Sequence, residues 1–325
     1  MILAGDTGGT KTRLALYELD GAKLHRQTTE TFVSRDYPGL EEIVDVFLDR
    51  NRATVKAACF GVPGPVVNGA AKTTNLPWQL QEEKIAQTVG INAVRLVNDL
   101  VATTAAIPHF SPDELFTLYE GSLESEKKIC AVLAPGTGLG QAFLFRDNGH
   151  YHVIASEGGH SDFAPTNELE IELLHYLKKK FEHVSYERVL CGPGLHNIYN
   201  FLKNSERALE PAELAIRFAG KDPSAVIAAA GLAGEFDICA KALDIFASIL
   251  GAQAGNLALT LLATGGVYLG GGIPPKILPK IKEGATVASY LDKGRLSDVV
   301  KKTPLYVIRD DHAALLGAAS LAMEM

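Results

Sequence analysis

The chain of 325 residues has 47% hydrophobic and 21% charged residues, an ordinary globular composition that excludes disorder and coiled coil over most of its length. Its formal net charge of -7 argues against nucleic acid as the main partner, because phosphate recognition needs a basic surface. Its four cysteines are dispersed without a C-x-x-C pair, which argues against a disulfide framework and a zinc knuckle and favours the reducing cytoplasm.

The first part of the chain predicts strands that alternate with helices. Ile2–Asp6 and Thr12–Tyr17 are predicted strands, joined by the glycine-rich turn Thr7–Lys11. The elements expected after this hairpin are a helix over 37–51, a strand over 55–62, a helix over 82–89, a strand over 94–97 and a helix over 100–107. This alternation predicts an α/β sandwich.

The second part of the chain repeats the opening. Strand Ile129–Leu133, turn Ala134–Gly140 and strand Gln141–Phe145 form another strand, glycine turn and strand unit. The remaining predicted helices cover residues 168–181, a segment that starts at 185, and residues 211–219, 235–262 and 313–323. The remaining predicted strands cover residues 267–269 and 305–308. The weak repeat predicts two related lobes, namely a small α/β domain of residues 1–110 plus 312–325 and a large α/β domain of residues 111–311.

A segment without charged residues, Ile245–Pro275, is longer than the roughly 20 residues that a membrane-spanning helix needs. However, Gln253 and Asn256 interrupt it, and glycines and prolines break its end. We therefore expect a buried helix followed by a buried strand and no membrane span. The chain opens without a basic segment and a long apolar run, so no signal peptide is expected either.

The turn at Gly5–Thr10 is a candidate phosphate site. Small residues let backbone N–H groups approach phosphate oxygens, and Thr7 and Thr10 add hydroxyl donors. Asp6 stands at the end of a strand, where it could hold the hydration shell of Mg²⁺. The P-loop pattern is not met, because Thr10 occupies a position that needs glycine and a strand follows instead of a helix. An ordinary tight hairpin remains an open alternative.

Two further glycine clusters are also candidate ligand sites. The turn at Gly136–Gly138 could hold phosphates together with the first turn, and Gly270–Gly272 would allow a flat base or another backbone to approach. A plain hairpin and tight strand–helix packing are the respective alternatives.

Asn98 and Asp99 follow a predicted strand. Ligands of open α/β sheets bind at the carboxyl ends of strands, where a carboxylate can accept a proton from a hydroxyl group. Asn and Asp also begin helices routinely, so a helix cap is an equal alternative.

Glu157 and His160, separated by two glycines and followed by Asp162, could converge on one small polar ligand. One Glu and one His are too few to predict a zinc site, and a polar turn remains possible. Glu187 has helical surroundings, and its local sequence favours a solvated helix face.

Taken together, these motifs resemble the bacterial glucokinases, of the hexokinase-like group in the actin, sugar kinase and heat-shock ATPase superfamily. The resemblance runs from residue 2 to about residue 320. The motifs that carry it are Gly5–Thr10, Leu96–Asp99, Gly136–Gly140, Glu157–Pro165, Glu187–Leu195 and Gly270–Pro274. It implies a two-lobed actin-like ATPase fold (ribonuclease H-like) with the active-site cleft between the lobes.

The resemblance also implies the roles of individual residues. Asp99 would be the base for the sugar 6-hydroxyl, and Asp6 would face Mg²⁺ through water. The residues implied to bind glucose are Asn75, Asn98, Asp99, Glu157, His160 and Glu187. The residues implied to bind ATP are Gly5, Asp6, Thr7, Gly8, Gly9, Thr10, Gly136, Thr137, Gly138, Gly270, Gly271 and Gly272.

The implied reaction is phosphorylation of D-glucose at O6 by Mg²⁺-ATP in a homodimer, and the sequence features above add the expectation of a cytoplasmic protein that binds neither nucleic acid nor membrane. No cysteine lies between His160 and Cys191, which favours this group over the related zinc-containing repressor and kinase family. A kinase for another hexose or an N-acetylhexosamine, a non-catalytic sugar sensor, an actin-like ATPase and polyphosphate as donor are the alternatives.

Overall fold

The computed structural model describes residues 1–21, 23–73, 76–122 and 129–325. Within these residues the strands are β1 (Ile2–Thr7), β2 (Lys11–Asp20), β3 (Lys23–Val33), β4 (Ala57–Val62), β5 (Val66–Val67), β6 (Ala70–Lys72), β7 (Gln79–Gln81), β8 (Ala93–Asn98), β9 (Leu115–Tyr119), β10 (Ile129–Pro135), β11 (Leu139–Asp147), β12 (His150–Ser156), β13 (Gly266–Leu269) and β14 (Leu305–Ile308). The helices are α1 (Leu40–Asn51), α2 (Glu82–Val89), α3 (Asp99–Ala105), α4 (Glu168–Lys178), α5 (Gly192–Asn204), α6 (Ala212–Arg217), α7 (Pro223–Leu232), α8 (Asp237–Leu261), α9 (Leu278–Ile281), α10 (Ala285–Leu291), α11 (Ser297–Val300) and α12 (Ala313–Met323).

The chain divides into two compact units. The first unit comprises Met1–Glu114, His150–Ala155 and Asp310–Met325, and the second comprises Leu115–Gly149 and Ser156–Arg309.

The first unit is built on a sheet of order β3-β2-β1-β4-β8. Strand β1 is antiparallel to β2 and parallel to β4, which is parallel to β8. Strand β4 is buried along its whole length, as expected for a central strand covered on both faces. The carboxyl ends of β1, β4 and β8 therefore meet at one edge of this sheet.

Helices cover both faces of this sheet, because successive strand residues point to opposite sides. Leu3 and Phe60 belong to the apolar cluster that includes α1 residues, whereas Ala4 and Cys59 belong to the cluster that includes α3 and α12 residues. The second cluster is rich in alanine, which lets α12 approach α3, β1 and β4 closely.

In the second unit the sheet runs in the order β11-β10-β13-β14-β9. Strand β10 is antiparallel to β11 and parallel to β13, which is parallel to β14. The turn at Gly136–Gly138 follows β10, and Gly270–Gly272 follows β13. Both glycine clusters therefore lie at the same edge of this sheet.

Helix α8 is the core of the second unit and confirms the prediction for the charge-free segment. It is long and apolar enough to cross a membrane, but 72% of its apolar window is buried inside the protein. It packs against α5, α7 and α10, and a Cβ on Gly251 would lie 2.0 Å from the carbonyl oxygen of Thr286. Strand β13 follows it and is buried throughout.

Two local predictions differ from the structure, and strand β3 was missed. The helix expected from Ser185 is wrong, because Tyr186–Arg188 forms a single 3-10 turn and α5 begins only at Gly192. Helix α1 begins at Leu40 instead of residue 37, after an extended Gly39. Strand β3 was not predicted, because its mostly polar residues on an edge strand carry no apolar alternation.

Candidate active site

The predicted hairpin of β1 and β2 is present, and its turn carries Gly8, Gly9 and Thr10. The Gly8 N–H donates to the Lys11 carbonyl at 2.9 Å, and the buried Ser34 hydroxyl donates to the Gly8 carbonyl at 2.8 Å. The Ser34 N–H also donates to the carbonyl of Thr10 at 3.0 Å. Ser34 thus holds the turn in place through its hydroxyl and its backbone N–H.

Gly5 has a packing role in β1. A Cβ at this position would lie 2.3 Å from a ring carbon of Phe60 on the neighbouring β4. Glycine is therefore required here for close contact between the central strands, whatever its relation to phosphate.

Asp6 lies near the end of β1 beside cationic and anionic groups. Its Oδ2 is 3.7 Å from a guanidinium nitrogen of Arg13, which also donates to the carbonyl of Asp311 at 2.9 Å. Burial raises the pKa of Asp6 above its usual value, Arg13 opposes the rise, and the negative charge of Asp99 adds to it. The two carboxylates repel each other, an arrangement that favours a cation near them.

Asn98 ends β8 and caps α3, as the cap interpretation predicts. Its Oδ1 accepts from the Leu100 N–H at 3.0 Å, while its Nδ2 donates to the Gly64 carbonyl at 3.2 Å. The cap fixes the residue that follows it, Asp99, at the first position of the helix.

Asp99 is accessible at the surface, with an Oδ1 that accepts from the Leu100 N–H at 2.8 Å. The surrounding protein desolvates the carboxyl and raises its pKa, and hydrogen bonds from the backbone and from Asn98 offset only part of this rise. A carboxylate with a raised pKa is a stronger base than an ordinary Asp, which suits proton abstraction from a hydroxyl group.

Two residues that help to shape this edge were not predicted. Gly61 lies opposite Asp6 on β4 and packs against α3, since a Cβ at this position would lie 3.3 Å from the Cβ of Ala102 and 3.5 Å from the Cα of Asp99. Gly64 has a φ of 99° and accepts the Asn98 amide. The signal that could have identified them is the glycine- and proline-rich segment Gly61–Pro65 at the end of a buried strand.

The donor set of the first unit fits Mg²⁺ held partly by a nucleotide. Among the described residues no group of three or more His, Cys, Asp or Glu side chains could hold a metal ion. Mg²⁺ is commonly bound by one or two carboxylates together with substrate phosphates, and Asp6 offers such a carboxylate. The adjacent Thr7 is only 1% exposed, and its Oγ1 has no hydrogen-bond partner within the described chain.

The second glycine turn (Gly136–Gly138) is closed by its own backbone. The Gly136 N–H donates to the Gly138 carbonyl at 2.8 Å, and Thr137 is exposed between them. The Gly136 carbonyl accepts from the Gly192 N–H at 2.9 Å, at the beginning of α5.

The glycines after β13 lie beside the segment that precedes this turn. Gly270 donates its N–H to the Leu133 carbonyl at 2.9 Å, and Gly271 has a φ of 76°. A Cβ on Gly271 would lie 2.6 Å from the Pro135 carbonyl, whereas a Cβ on Gly272 would meet no atom within 4 Å. The open side at Gly272 is compatible with a bound flat group.

Glu157 precedes a 3-10 turn at Gly158–His160 and His160 ends it, in agreement with the polar-turn interpretation. The Glu157 carbonyl accepts from the His160 N–H at 2.9 Å, and both side chains are exposed. A Cβ on Gly159 would lie 2.0 Å from the Leu139 carbonyl, so the turn rests directly on the start of β11. Asp162 pairs with His183 instead, at 2.8 Å.

Glu187 is brought to this turn by a connection that local sequence does not reveal. A β-bridge joins Asp162 to Ser185, and the Tyr186 N–H donates to the Ser161 carbonyl at 3.0 Å. As a result Glu187 Oε1 lies 3.9 Å from His160 Nδ1. The solvated helix face expected for Glu187 is wrong, because its side chain is only 27% exposed.

We expect Gly159→Ala to destabilise the protein by about 2–3 kcal/mol, because the new methyl would displace the turn from a backbone carbonyl. Thermal unfolding checks this. Gly136→Ala is the stability control, since its Cβ would have only the Gly272 nitrogen near it, at 4.0 Å. Equal stability of the two variants would contradict the packing argument.

Asn75, implied by the resemblance to bind glucose, lies outside the described residues.

Solved structures with this fold define the class of protein. A glucokinase from an Antarctic psychrotroph has a TM-score of 0.90 and 30% sequence identity, with 100% of this chain and 99% of that chain covered. A ROK family glucokinase from Streptomyces griseus, solved with glucose and AMPPNP, has a TM-score of 0.64 and 20% identity, with 100% and 99% covered, and supports the fold alone. The fold is therefore that of the sugar kinases with the two-lobed actin-like ATPase architecture, as predicted.

The sequence comparisons identify the family within this class. A family model described as Glucokinase matches residues 3–325. A glucokinase of Trichormus variabilis is 41% identical over 341 residues, which cover 100% of this chain and 99% of that relative. The chain belongs to the glucokinase family, and the predicted enzyme class is confirmed.

Proposed function

We propose that the protein transfers the γ-phosphoryl group of ATP to the 6-hydroxyl of D-glucose and so forms ADP and glucose 6-phosphate. Membership of the glucokinase family supports the reaction. The observation that carries the chemistry is the Asp99 carboxylate at the end of β8, with its raised pKa and its fixed position at the start of α3.

In this mechanism Asp99 accepts the proton of O6 as the oxygen attacks phosphorus. Phosphoryl transfer depends mainly on positioning and on stabilisation of charge, so a well-placed carboxylate and backbone donors are sufficient protein groups. Asn98 holds the helix start that orients Asp99 and is proposed to hydrogen-bond a neighbouring sugar hydroxyl.

The glycine turns are proposed to bind ATP. Because Gly8 and Gly136 use their own N–H groups within the turns, the other backbone N–H groups of Gly8–Thr10 and Gly136–Gly138 would donate to phosphate oxygens, and Gly270–Gly272 would lie against adenine. Asp6 would hold Mg²⁺ through water. When bound, the ion neutralises charge on the transferring phosphoryl group.

Glu157, His160 and Glu187 are proposed to bind glucose hydroxyls through carboxylate and imidazole hydrogen bonds. Asn75 is proposed to contribute to the same sugar. These roles rest on the resemblance and on the proximity of His160 to Glu187.

A coupled ADP-release assay with Mg²⁺-ATP and a panel of glucose, mannose, fructose and N-acetylglucosamine tests the proposal. We expect glucose to give the highest kcat/KM. Glucose binding without ADP release would indicate a sensor, ADP release without sugar would indicate an ATPase, and preference for another hexose would reassign the substrate. Polyphosphate in place of ATP tests the donor.

The raised pKa of Asp99 predicts how kcat/KM falls at acid pH. Only the deprotonated carboxylate accepts a proton, so kcat/KM should rise with pH through this pKa and level off above it. The midpoint should lie above the roughly 3.9 of an ordinary Asp. A pH profile of kcat/KM for glucose measures it, and full activity at the ordinary Asp value would contradict the assignment.

The proposal extends to a cytoplasmic, Mg²⁺-dependent homodimer that acts in glycolysis without nucleic acid or membrane partners. The support is the resemblance and, for nucleic acid, the net charge of -7. The molar mass in solution tests the dimer.

A further inference from the structure

We propose that Glu187 also anchors the second glycine turn, so that a single side chain couples the sugar-binding and phosphate-binding parts of the second unit. The inference rests on the proposed function and deepens it. In this role Glu187 is a positioning residue for nucleotide binding, in addition to its proposed contact with glucose.

The first observation is a direct contact with the end of the turn. Glu187 Oε2 accepts a hydrogen bond from the Leu139 N–H at 2.9 Å, immediately after Gly138. A Cβ on Gly138 would lie 2.6 Å from the same oxygen, so a side chain at this position would push the carboxylate away from the turn. This contact joins the Glu187 side chain directly to the residue that follows the turn.

The second observation is that the segment 187–192, which begins with Glu187, also contacts Gly136 at the beginning of the turn. Gly192 donates its N–H to the Gly136 carbonyl at 2.9 Å. Between these contacts the Cys191 thiol donates to the Glu187 carbonyl at 2.9 Å and accepts from the Gly194 N–H at 3.3 Å. Burial raises the pKa of this thiol to about 11, which keeps it protonated as a donor. Residues 187–192 therefore brace both ends of the turn.

The third observation links this brace to the sugar residues. The remaining oxygen of Glu187, Oε1, faces His160 at 3.9 Å. Gly159 touches the carbonyl side of Leu139, whose N–H side is held by Glu187. Leu139 is thus held between the 3-10 turn at Gly158–His160 and the Glu187 side chain. A sugar that reorients this carboxylate therefore changes the support of the turn at Gly136–Gly138.

Binding of ADP in the presence of Mg²⁺, measured by calorimetry without glucose, tests the anchor. We expect Glu187→Ala to raise the Kd for ADP at least fivefold. Glu187→Gln should keep it within twofold of wild type, because the amide oxygen can still accept from Leu139. Both variants should bind glucose more weakly. His160→Ala is the matched control and should weaken glucose binding without changing the Kd for ADP.

Two results would overturn the inference. One is an unchanged Kd for ADP in Glu187→Ala, and the other is an equal loss in Glu187→Ala and Glu187→Gln. If Glu187→Ala does not fold, as judged by thermal unfolding, Glu187→Asp replaces it, because we expect a side chain shorter by one methylene group to lose the hydrogen bond to Leu139. A wild-type protein that turns over glucose while Glu187→Ala keeps its ADP affinity refutes only the anchor. A wild-type protein that does not phosphorylate glucose refutes the proposed function itself.

Discussion

Asp99→Asn is expected to lower kcat for glucose by about 10²–10⁴-fold, the usual contribution of a general base. The amide keeps the size of the carboxylate and can still accept from the Leu100 N–H, so the start of α3 should be preserved. The coupled ADP-release assay measures the loss, and glucose titration should show that binding survives. Turnover close to that of the wild type would remove Asp99 as the base.

The same variant should not destabilise the protein. Because the folded-state pKa of Asp99 is raised, the stability contributed by this group is greatest in acid and is lost as the pH rises through that pKa. Asp99→Asn removes the charge, so at neutral pH the unfolding temperature of the variant should equal or slightly exceed that of the wild type. The gain should be small, because water screens the charge of an accessible group. Asn98→Ala, which removes the helix cap, is the contrasting control and should cost about 1 kcal/mol.

Gly317→Ala is expected to have the largest effect on stability, a loss of about 2–4 kcal/mol from a typical total of 5–15 kcal/mol. Gly317 lies on α12 where this helix crosses α3, and a Cβ would lie 1.7 Å from the Ala102 carbonyl. The nearest atoms belong to backbone, so relief requires the two helices to separate. Because α3 carries Asp99 at its first position, we also expect kcat to fall.

Urea unfolding followed by circular dichroism measures this loss. Gly272→Ala is the matched control, because its Cβ would meet no atom within 4 Å, and its stability should match that of the wild type. A Gly317→Ala protein as stable as this control would show that α12 can shift away from α3 without loss.

The strand ends and glycine turns were predictable because they depend on local patterns. An apolar strand followed by small residues identifies the β1 turn and the turn after β10, and the Asn98–Asp99 pair at the end of β8 identifies both cap and base candidate. The charge-free segment Ile245–Pro275, interrupted by Gln253 and Asn256, was also sufficient to predict the buried part of α8.

The arrangement of the second unit was not predictable in this way. Glu187 reaches His160 only because the Asp162–Ser185 bridge joins two segments that are distant in the chain, and no local periodicity encodes such pairing. The same holds for Gly61, whose role depends on the neighbouring β1 and on α3. The family resemblance pointed to Glu187, but its contact with Leu139 required the structure.

The first unit combines segments that are distant in the chain, which has a consequence for its synthesis on the ribosome. Its central strand β1 is made first, whereas α12, which covers the alanine-rich face of that sheet, follows the whole of the second unit. During translation this face of the nascent chain therefore stays uncovered while the second unit can already fold. We expect the growing polypeptide to depend on chaperones over this interval, and the first unit to become protease-resistant only after α12 has emerged from the exit tunnel.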